Sequence, residues 1–391
     1  MRTAMTTGAV AAITMQAKPS MSANAVTIRT IPATSAAEST TASASSMSDA
    51  CHLCPRDCGA HRSRAVGVCG AGVGVVVSRA ALHFWEEPPI SGSSGSGTVF
   101  FSGCPLRCVY CQNAEIAYAA SGLEISVGRL AAIMSELEGQ GALNINCVTA
   151  TPFIPQVERA VSLARSVGMA LPIVWNTSSY ETVESVSRLA GTVDVWLADL
   201  KYAGSDIARR YSRAADYPDV AIAAIDRMLE QAGEPRYDEY RGQTRLVGGV
   251  CIRHLLLPGN LEDSKRVVDI VADRYGDQVL LSLMSQYTPV VASAARSGDK
   301  RAMDVVRSCP ELALRVTGAE YEELLDYADK RGLDGYFWQD GEAAEESFVP
   351  AWDHTGVLEP AGELPSDGIQ RSAISGKNGD LAGKTRPLTV E

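Results

Sequence analysis

Apolar residues along this chain fall into two repeating patterns, continuous short runs and helical stripes. The run at 99–102 is followed, after a loop, by a segment at 129–138 in which Leu130, Ile133 and Leu137 recur at the spacing of an amphipathic helix. The short runs are mostly apolar throughout, as expected for strands whose two faces are both covered by helices. Repetition of a strand and then a helix predicts a parallel sheet with right-handed crossovers.

Six units of this kind are predicted, and a short strand at 336–338 is expected to add to one edge of the sheet. The predicted strands are 99–102, 143–149, 172–176, 193–199, 247–257 and 279–284. The predicted helices are 129–138, 156–167, 182–189, 220–231, 262–274 and 320–331. The predicted fold class is therefore α/β, a partial (β/α)6 parallel barrel with an N-terminal cysteine-rich segment.

Composition divides the chain into four parts. Of its 391 residues, 46% are hydrophobic and 21% are charged, which is enough for a large folded core. Residues 1–47 are rich in Ala, Ser and Thr without periodicity and are predicted to be a disordered extension, as 358–391 are predicted to be a disordered tail. Between these ends we expect a cysteine-rich metal-binding segment at 48–96 and the barrel at 97–357.

Charge and hydropathy exclude several classes of partner. The formal net charge is -11 and the pI is about 5.1, so no nucleic-acid partner is predicted. The sequence has neither a block of Lys and Arg nor a run of 18 apolar residues. Neither binding to a membrane surface nor a membrane span is therefore predicted.

The cysteines are concentrated in one part of the sequence. Seven of the ten lie between Cys51 and Cys111. Disulfide frameworks spread their cysteines to join distant segments, whereas metal sites bring them together, so metal binding is favoured. Because an air-sensitive metal centre needs a reducing compartment, a cytoplasmic location is expected.

Cys104, Cys108 and Cys111 form a C-x3-C-x2-C motif directly after the predicted strand at 99–102. In a parallel α/β barrel the chemistry is found at the carboxyl ends of the strands, which is where this loop falls. Three thiolates can hold three irons of a [4Fe–4S] cluster, whose ligands are normally four cysteines. The fourth iron is then open to a ligand from outside the protein. Structural zinc and redox thiols are the alternatives, although structural zinc takes four ligands.

This motif, its preceding strand and the following Gln112-Asn113 resemble the radical S-adenosylmethionine superfamily. Within it, the chain is similar to proteins related to pyruvate formate-lyase activating enzyme, from about Cys51 to Val357. The segments that carry the finer likeness are Cys51–Cys58, Phe101–Cys104, Asp199–Lys201 and Val349–Asp353.

The resemblance implies a [4Fe–4S] cluster and S-adenosylmethionine as cofactors, and a 5′-deoxyadenosyl radical that abstracts hydrogen. It implies that Asp199, Lys201 and Asn176 bind S-adenosylmethionine at the ends of their strands. Tyr110, directly before Cys111, is expected to lie against the adenine ring. The implied partners are an electron donor such as flavodoxin or ferredoxin, and a glycyl-radical protein as the substrate of an activating reaction.

One segment departs from the pattern of activating enzymes. These enzymes carry a Gly-Gly-Glu run after the second strand, which binds the methionyl amino group, whereas this chain has 147–152, Cys-Val-Thr-Ala-Thr-Pro. The hydroxyl of Thr149 or Thr151, or backbone carbonyls, are the available acceptors, and the amino-group contact is left unassigned. Weaker pocket candidates follow the fifth and sixth strands, namely Arg253, His254, Gln286 and Tyr287.

A second cysteine set has the spacing C-x2-C-x3-C-x10-C and consists of Cys51, Cys54, Cys58 and Cys69. These four ligands predict either an auxiliary [4Fe–4S] cluster that passes electrons to the first one, or a structural zinc site with His52 and His61 as substitute ligands. The remaining cysteines stand in apolar surroundings and are predicted to be core residues; they are Cys147, Cys251 and Cys309.

Two classes of function follow from these residues. The first is a radical S-adenosylmethionine enzyme of the oxidoreductase or activase type. The second is a non-catalytic cysteine-rich metalloprotein with structural zinc or a redox-sensing role.

Overall fold

A computed structural model describes residues 50–333, 335–339 and 349–358. The predicted disordered extension at 1–47 lies outside the described residues, as does all but Leu358 of the predicted tail. The described residues belong to one compact unit. In this part of the chain, no helix combines the length and the apolar character that crossing a membrane requires.

Ten strands and eleven helices are found in the described residues. The strands are β1 (Val75–His83), β2 (Ser96–Phe101), β3 (Leu123–Ile125), β4 (Ile145–Val148), β5 (Ile173–Thr177), β6 (Val195–Asp199), β7 (Arg236–Tyr240), β8 (Gln243–Leu255), β9 (Leu280–Met284) and β10 (Phe337–Trp338). The helices are α1 (Pro88–Ser91), α2 (Ala114–Ala117), α3 (Val127–Gly139), α4 (Ile154–Ser166), α5 (Val183–Arg188), α6 (Ser205–Ser212), α7 (Tyr217–Ala232), α8 (Leu261–Arg274), α9 (Val290–Arg296), α10 (Lys300–Ser308) and α11 (Gly318–Lys330).

The sheet is mostly parallel and open, as predicted. Its order is β10-β9-β8-β6-β5-β4-β2-β1-β3, and every neighbouring pair from β2 to β10 is parallel. The six predicted strand-and-helix units are confirmed, with β2, β4, β5, β6, β8 and β9 as their strands. The predicted edge strand is also confirmed, because β10 pairs with β9. The fold is therefore a partial (β/α)6 barrel.

The predicted apolar stripe of α3 packs into the core. Leu130, Ile133 and Leu137 are each at most 1% exposed. The helix starts after Ser126, whose side chain accepts a hydrogen bond from the amide of Arg129, an N-cap that satisfies one otherwise unpaired donor. Sequence pattern and local capping thus agree on the position of this helix.

Several elements were not predicted. β1 pairs antiparallel with β2, and β3 pairs antiparallel with β1, so the sheet extends beyond the barrel on its β2 side. β7 forms an antiparallel hairpin with the first half of β8. The additional helices are at most nine residues long; they are α1, α2, α6, α9 and α10. Such short helices depend on tertiary packing, which local periodicity does not report.

The segment between β1 and β2 enters the barrel. Ile90 of α1 is fully buried and packs in one cluster with Val174, Leu197 and Cys251. These three residues precede Asn176, Asp199 and Arg253 by two positions on their strands, and residues two apart share one face of a strand. Ile90 therefore lies on the same inner face as the polar residues at the carboxyl ends of the strands.

Candidate active site

The three-cysteine loop begins directly after β2 with a residue that only glycine suits. Gly103 has a φ of +101°, and a Cβ on it would lie 2.9 Å from the carbonyl oxygen of Cys69. The loop of Cys104 therefore packs closely against the end of the second cysteine set. The two sets are neighbours in the fold although 35 positions separate Cys69 from Cys104 in the sequence.

Backbone hydrogen bonds fix this loop to two helices. The amides of Gly103 and Cys104 donate to carbonyl oxygens in α2, at 2.7 and 3.1 Å. The amide of Val109 donates to the carbonyl of Tyr211 in α6 at 2.8 Å. Because both ends of the loop are held, its thiols have defined positions before any metal binds.

Of the three thiols in this loop, that of Cys108 is buried and those of Cys104 and Cys111 are partly buried. The pKa of Cys104 is raised to about 11 and that of Cys111 to about 12, chiefly by burial, and the neighbouring Cys108 contributes to both increases. The ammonium group of Lys201 acts in the opposite direction on both thiols. Three thiolates this close repel one another, and a cationic iron–sulfur centre would offset that repulsion. The site therefore fits the cluster that the motif predicts.

A chain of hydroxyl groups ends on the Cys108 sulfur. Ser212 Oγ donates to Cys108 Sγ at 3.1 Å, and Tyr202 Oη lies 2.7 Å from Ser212 Oγ. Tyr110 Oη lies 2.8 Å from Tyr202 Oη. Hydrogen bonds to cluster sulfurs tune the reduction potential of iron–sulfur centres, so these groups are placed to do so.

Tyr110 is buried by other tyrosines. Its ring meets those of Tyr202, Tyr211 and Tyr287 edge-on, with centroids 6.5, 5.8 and 6.2 Å away. Among the described residues that line the cavity beside the cysteine loop, Tyr110 is not included. Its predicted contact with adenine stays a prediction.

A cavity of about 200 Å³ lies at the carboxyl ends of the parallel strands. It brings together three residues that the sequence predicted as ligands of S-adenosylmethionine, Asn176, Asp199 and Lys201. Gln112 and Asn113, which follow the last cysteine of the motif, line the same cavity. The cavity therefore adjoins the chain directly after the cysteine loop.

Asp199 and Lys201 form an ion pair at the end of β6, with Lys201 Nζ 2.5 Å from Asp199 Oδ2. Burial alone would lower the pKa of Lys201, but Asp199 and Cys108 raise it above its usual value. Tyr217 Oη accepts from the amide of Lys201 and lies 2.9 Å from the carbonyl oxygen of Asp199. This tyrosine fixes the backbone that presents the pair.

Two acidic residues that the sequence did not indicate reach the same region from the segment before β2. Glu86 Oε2 lies 3.1 Å from Arg253 Nη1, and Glu87 Oε1 lies 3.0 Å from Arg253 Nε. Asn146 and Asn176 donate to Glu86 Oε1 at 3.0 and 3.2 Å. In the sequence, Glu86 and Glu87 stand out only as a pair of acidic residues ahead of a Gly-rich run. No local pattern connects this pair with the barrel.

Of the two threonines that replace the Gly-Gly-Glu run, Thr151 has a side-chain partner. Thr151 Oγ1 donates to Glu181 Oε1 at 2.6 Å, and Trp175 Nε1 donates to the same oxygen at 2.9 Å. Burial raises the pKa of Glu181. Thr149 has a φ of +60°, an uncommon conformation for a β-branched residue, and its amide donates to the carbonyl of Asn176.

The weaker candidates separate into two groups. Arg253 and Gln286 line the cavity. His254 is buried with Nδ1 2.7 Å from the carbonyl oxygen of Leu200 and Nε2 2.9 Å from Ser264 Oγ, and Tyr287 donates to the carbonyl of Leu312. His254 and Tyr287 therefore have structural partners. His254 differs from Arg253 because consecutive residues of β8 face opposite sides of the sheet.

The second cysteine set lies in a segment without helices or strands between 51 and 74. The pKa of Cys54 is raised to about 12, chiefly by burial, and the thiols of Cys69, Cys51 and Cys58 contribute to the increase. All ten cysteines of the chain are free thiols. Among the described residues, no three His, Cys, Asp or Glu side chains are drawn together as ligands of one metal ion. His52 pairs with Asp57 rather than with a thiol.

Arg56 attaches this segment to the three-cysteine loop. Its guanidinium donates to the carbonyls of Pro105 at 2.9 Å and Leu106 at 3.3 Å, which lie between Cys104 and Cys108. It also donates to the carbonyls of Ser212 at 2.8 Å and Arg213 at 2.7 Å. One side chain from the second cysteine set thus contacts both the loop and the end of α6.

The remaining predicted core cysteines are buried as expected. Cys147, Cys251 and Cys309 are each at most 2% exposed. They lie on β4, on β8 and after α10. Only Cys147 and Cys251 belong to strands of the barrel.

Part of this chain is similar to a known superfamily. The model of the Radical SAM superfamily matches residues 98–269, and these residues belong to that superfamily. An uncharacterized protein of Methanocaldococcus jannaschii is 27% identical over 292 residues, which are 73% of this chain and 75% of that protein. The match is to the superfamily as a whole, so the likeness to activating enzymes stays a prediction.

Two solved structures are also similar to the chain. A radical SAM methyltransferase from Sphaerobacter thermophilus matches with a TM-score of 0.41 and 17% identity, over 63% of this chain and 67% of that one. Streptococcus suis SuiB bound to precursor peptide SuiA matches with a TM-score of 0.36 and 12% identity, over 61% of this chain and 46% of that one.

Proposed function

We propose that this protein is an enzyme that abstracts hydrogen from its substrate after cleaving S-adenosylmethionine bound in the cavity beside the three-cysteine loop. Membership of the superfamily supports radical S-adenosylmethionine chemistry with a [4Fe–4S] cluster. The observation that carries the proposal is that Asn176, Asp199 and Lys201 line one cavity with Gln112 and Asn113, the two residues that directly follow Cys111.

Cys104, Cys108 and Cys111 would hold the cluster and leave one iron to S-adenosylmethionine. When bound and reduced, the cluster supplies the electron that splits S-adenosylmethionine into methionine and a 5′-deoxyadenosyl radical. Asp199 and Lys201 offer an acceptor and a donor for the nucleoside and carboxylate parts of the ligand.

The finer assignment concerns the hydrogen donor. We propose a glycine of a partner protein, so that the enzyme is an activase of the oxidoreductase type, and a flavodoxin or ferredoxin as the electron donor. This proposal is supported by three segments that resemble activating enzymes: the cysteine-rich start, Asp199–Lys201 and Val349–Asp353. The sensitivity of such a cluster to oxygen supports a cytoplasmic location.

Anaerobic reconstitution tests the proposed chemistry. The wild-type protein should bind about four irons at the three-cysteine loop and release 5′-deoxyadenosine and methionine on reduction. Cys108→Ala should abolish this release, whereas Cys309→Ala, which changes a core cysteine outside both sets, should retain it. Full cluster loading without 5′-deoxyadenosine would favour the non-catalytic metalloprotein instead. Formation of a glycyl radical on a candidate partner, seen by electron paramagnetic resonance, tests the hydrogen donor.

We also propose that Cys51, Cys54, Cys58 and Cys69 hold a second metal centre, an auxiliary [4Fe–4S] cluster rather than zinc. The closeness of Cys69 to Gly103 supports a role in electron transfer, since both centres would adjoin one loop. Metal analysis of a Cys104→Ala/Cys108→Ala/Cys111→Ala variant should find about four irons and little zinc. One zinc per chain in that variant would instead establish the structural site.

A further inference from the structure

Two arginines lie over the ring of one tyrosine beside the three-cysteine loop. The guanidinium carbon of Arg107 is 4.5 Å from the centroid of the Tyr118 ring, and that of Arg301 is 3.6 Å from the same centroid. Both distances are within the range of cation–π contacts. Arg107 belongs to the loop itself, between Cys104 and Cys108, whereas Arg301 lies on α10. The fold thus gathers two positive charges from distant segments at one aromatic side chain.

We propose that the unit of Arg107, Tyr118 and Arg301 is the docking surface for the electron donor of the cluster, a small acidic carrier protein. This inference rests on the proposed function, which needs an electron from outside the chain. With a flavodoxin as the carrier, the anionic flavin hydroquinone loses one electron and becomes the neutral semiquinone. The oxidised cluster gains that electron, and no proton is transferred.

Hydrogen bonds hold the tyrosine next to the cluster ligands. Tyr118 Oη donates to the carbonyl oxygen of Arg107 at 2.9 Å, and Cys108 is the next residue in the chain. The amide of Cys104 donates to the carbonyl of Ala117, directly before Tyr118, at 3.1 Å. Because Tyr118 is only partly buried, its ring connects the protein surface with the backbone of Cys108 through one hydrogen bond. Electron transfer slows with distance, so a carrier docked here is well placed to reduce the cluster.

The second cysteine set reaches the same surface. A Cβ on Gly70, directly after Cys69, would lie 2.9 Å from the Cβ of Ala119. It would also lie 3.8 Å from Arg107 Nη2 and from the carbonyl oxygen of Tyr118. A carrier docked on this surface would therefore adjoin both proposed metal centres.

The positive charge of this surface is not neutralised within the described part of the chain. Arg107, Arg301 and the neighbouring Lys300 have no carboxylate partner there. Lys300 and Arg301 are exposed. The whole chain has a net charge of -11, so this surface differs in sign from the average of the molecule. Such a surface attracts an acidic partner and speeds their encounter.

Nearby carboxylates do not outweigh these cations. Asp299 accepts a hydrogen bond from a backbone amide of α10 at 2.7 Å, and Asp304 pairs with Arg307. Glu115 is an exposed carboxylate of α2, whereas Arg296, at the end of α9, is a further exposed cation. Basic side chains therefore remain in excess around the tyrosine.

A second contact between an arginine and a tyrosine provides a matched control. Exposed Arg241 lies over the ring of Tyr240 at 5.3 Å, in the turn between β7 and β8. This turn precedes the amino end of β8, whereas the three-cysteine loop follows the carboxyl end of β2. Because β2 and β8 belong to one parallel barrel, the two contacts lie at opposite ends of it.

Stopped-flow reduction of the reconstituted protein tests the inference without turnover. Excess flavodoxin hydroquinone is one reductant, followed by its semiquinone absorbance, and dithionite, which needs no docking surface, is the other. Arg301→Gln should lower the second-order rate constant for flavodoxin roughly 3- to 10-fold at about 0.01 M ionic strength, and the difference should vanish at about 1 M. Reduction by dithionite should stay at the wild-type rate. Arg241→Gln should match the wild type with both reductants.

A wild-type rate for Arg301→Gln with flavodoxin at low salt would overturn the inference. An equal loss in Arg241→Gln would do the same, because the effect would then follow net charge alone. An equal loss with dithionite would also overturn it, since the arginine would then act on the cluster itself. So would a wild-type protein that flavodoxin does not reduce.

Carbodiimide coupling gives a test that needs no variant, because it joins amines to carboxylates that are in contact. Wild-type protein mixed with flavodoxin should be cross-linked at Lys300, next to Arg301, as mapped by mass spectrometry. Cross-links confined to other lysines would place the carrier elsewhere and overturn the inference. A dithionite-reduced wild type that releases no 5′-deoxyadenosine would instead count against the proposed function.

Discussion

The hydroxyl of Ser212 donates to the Cys108 sulfur at 3.1 Å, which links the end of α6 to the predicted cluster. Ser212→Ala should lower the midpoint potential of that cluster by on the order of 40 mV, because a hydrogen bond to sulfur stabilises the more negative reduced state. A redox titration followed by electron paramagnetic resonance measures this. Ser135→Ala, in α3, is the matched control, and equal potentials in all three proteins would contradict the assignment.

Arg56 joins the second cysteine set to the first. Arg56→Ala should lower the free energy of unfolding by about 2 kcal/mol, because four backbone carbonyls lose a charged donor. Denaturant unfolding of the metal-free protein checks this. Arg64→Ala changes an exposed arginine of the same segment and should have little effect. Arg56→Lys should recover only part of the loss, since an ammonium group cannot reach all four carbonyls. Full recovery would mean that charge alone matters.

Thr151 is expected to serve stability rather than ligand binding. Thr151→Val removes one of the hydrogen bonds to buried Glu181 and should cost about 1–3 kcal/mol in the free energy of unfolding. The Kd for S-adenosylmethionine should stay at the wild-type value. Asp199→Asn should show the reverse pattern, weak binding with a smaller change in stability. A large loss of binding in Thr151→Val would instead indicate that this hydroxyl contacts the amino group of S-adenosylmethionine.

The thiol of Cys147 should make the metal-free protein sensitive to alkali. Burial raises its pKa from 9.0 to about 12, so the folded state holds this proton more tightly than the unfolded state does. The contribution of this thiol to the free energy of unfolding is fully present below pH 9 and is lost as the pH rises toward 12.

Cys147→Ala should therefore lose stability less steeply than the wild type between pH 8 and about pH 10.5. Urea unfolding at several pH values measures the slope. Val174→Ala also shortens a buried side chain but cannot titrate, and its slope should equal that of the wild type. A wild-type slope in Cys147→Ala would show that this thiol does not titrate in the window.

The barrel could be predicted from sequence because its signals are local. Continuous apolar runs mark β4, β5 and β6, whose residues are nearly all buried, and the stripe of Leu130, Ile133 and Leu137 marks α3. The position of Asp199 and Lys201 at the end of a strand follows from the same pattern. β1 was missed because its half-exposed pattern differs from the runs of the barrel.

The rest of the site depends on contacts between distant parts of the chain. Glu86 meets Arg253 across more than 160 positions, and Arg56 meets the carbonyl of Ser212 across 156. No local period connects such residues, because the fold alone brings them together. Ser212 itself lies at the end of the unpredicted α6.

Burial of Ile90 makes the residues ahead of the superfamily match part of its interior. A fragment that begins at residue 97 would keep β2 and every later strand, yet it would leave a hole bordered by Val174, Leu197 and Cys251. Water would then reach the inner face of the barrel next to the ligand site. The smallest autonomous unit therefore includes Ile90 and starts ahead of residue 98, where the match to the superfamily begins.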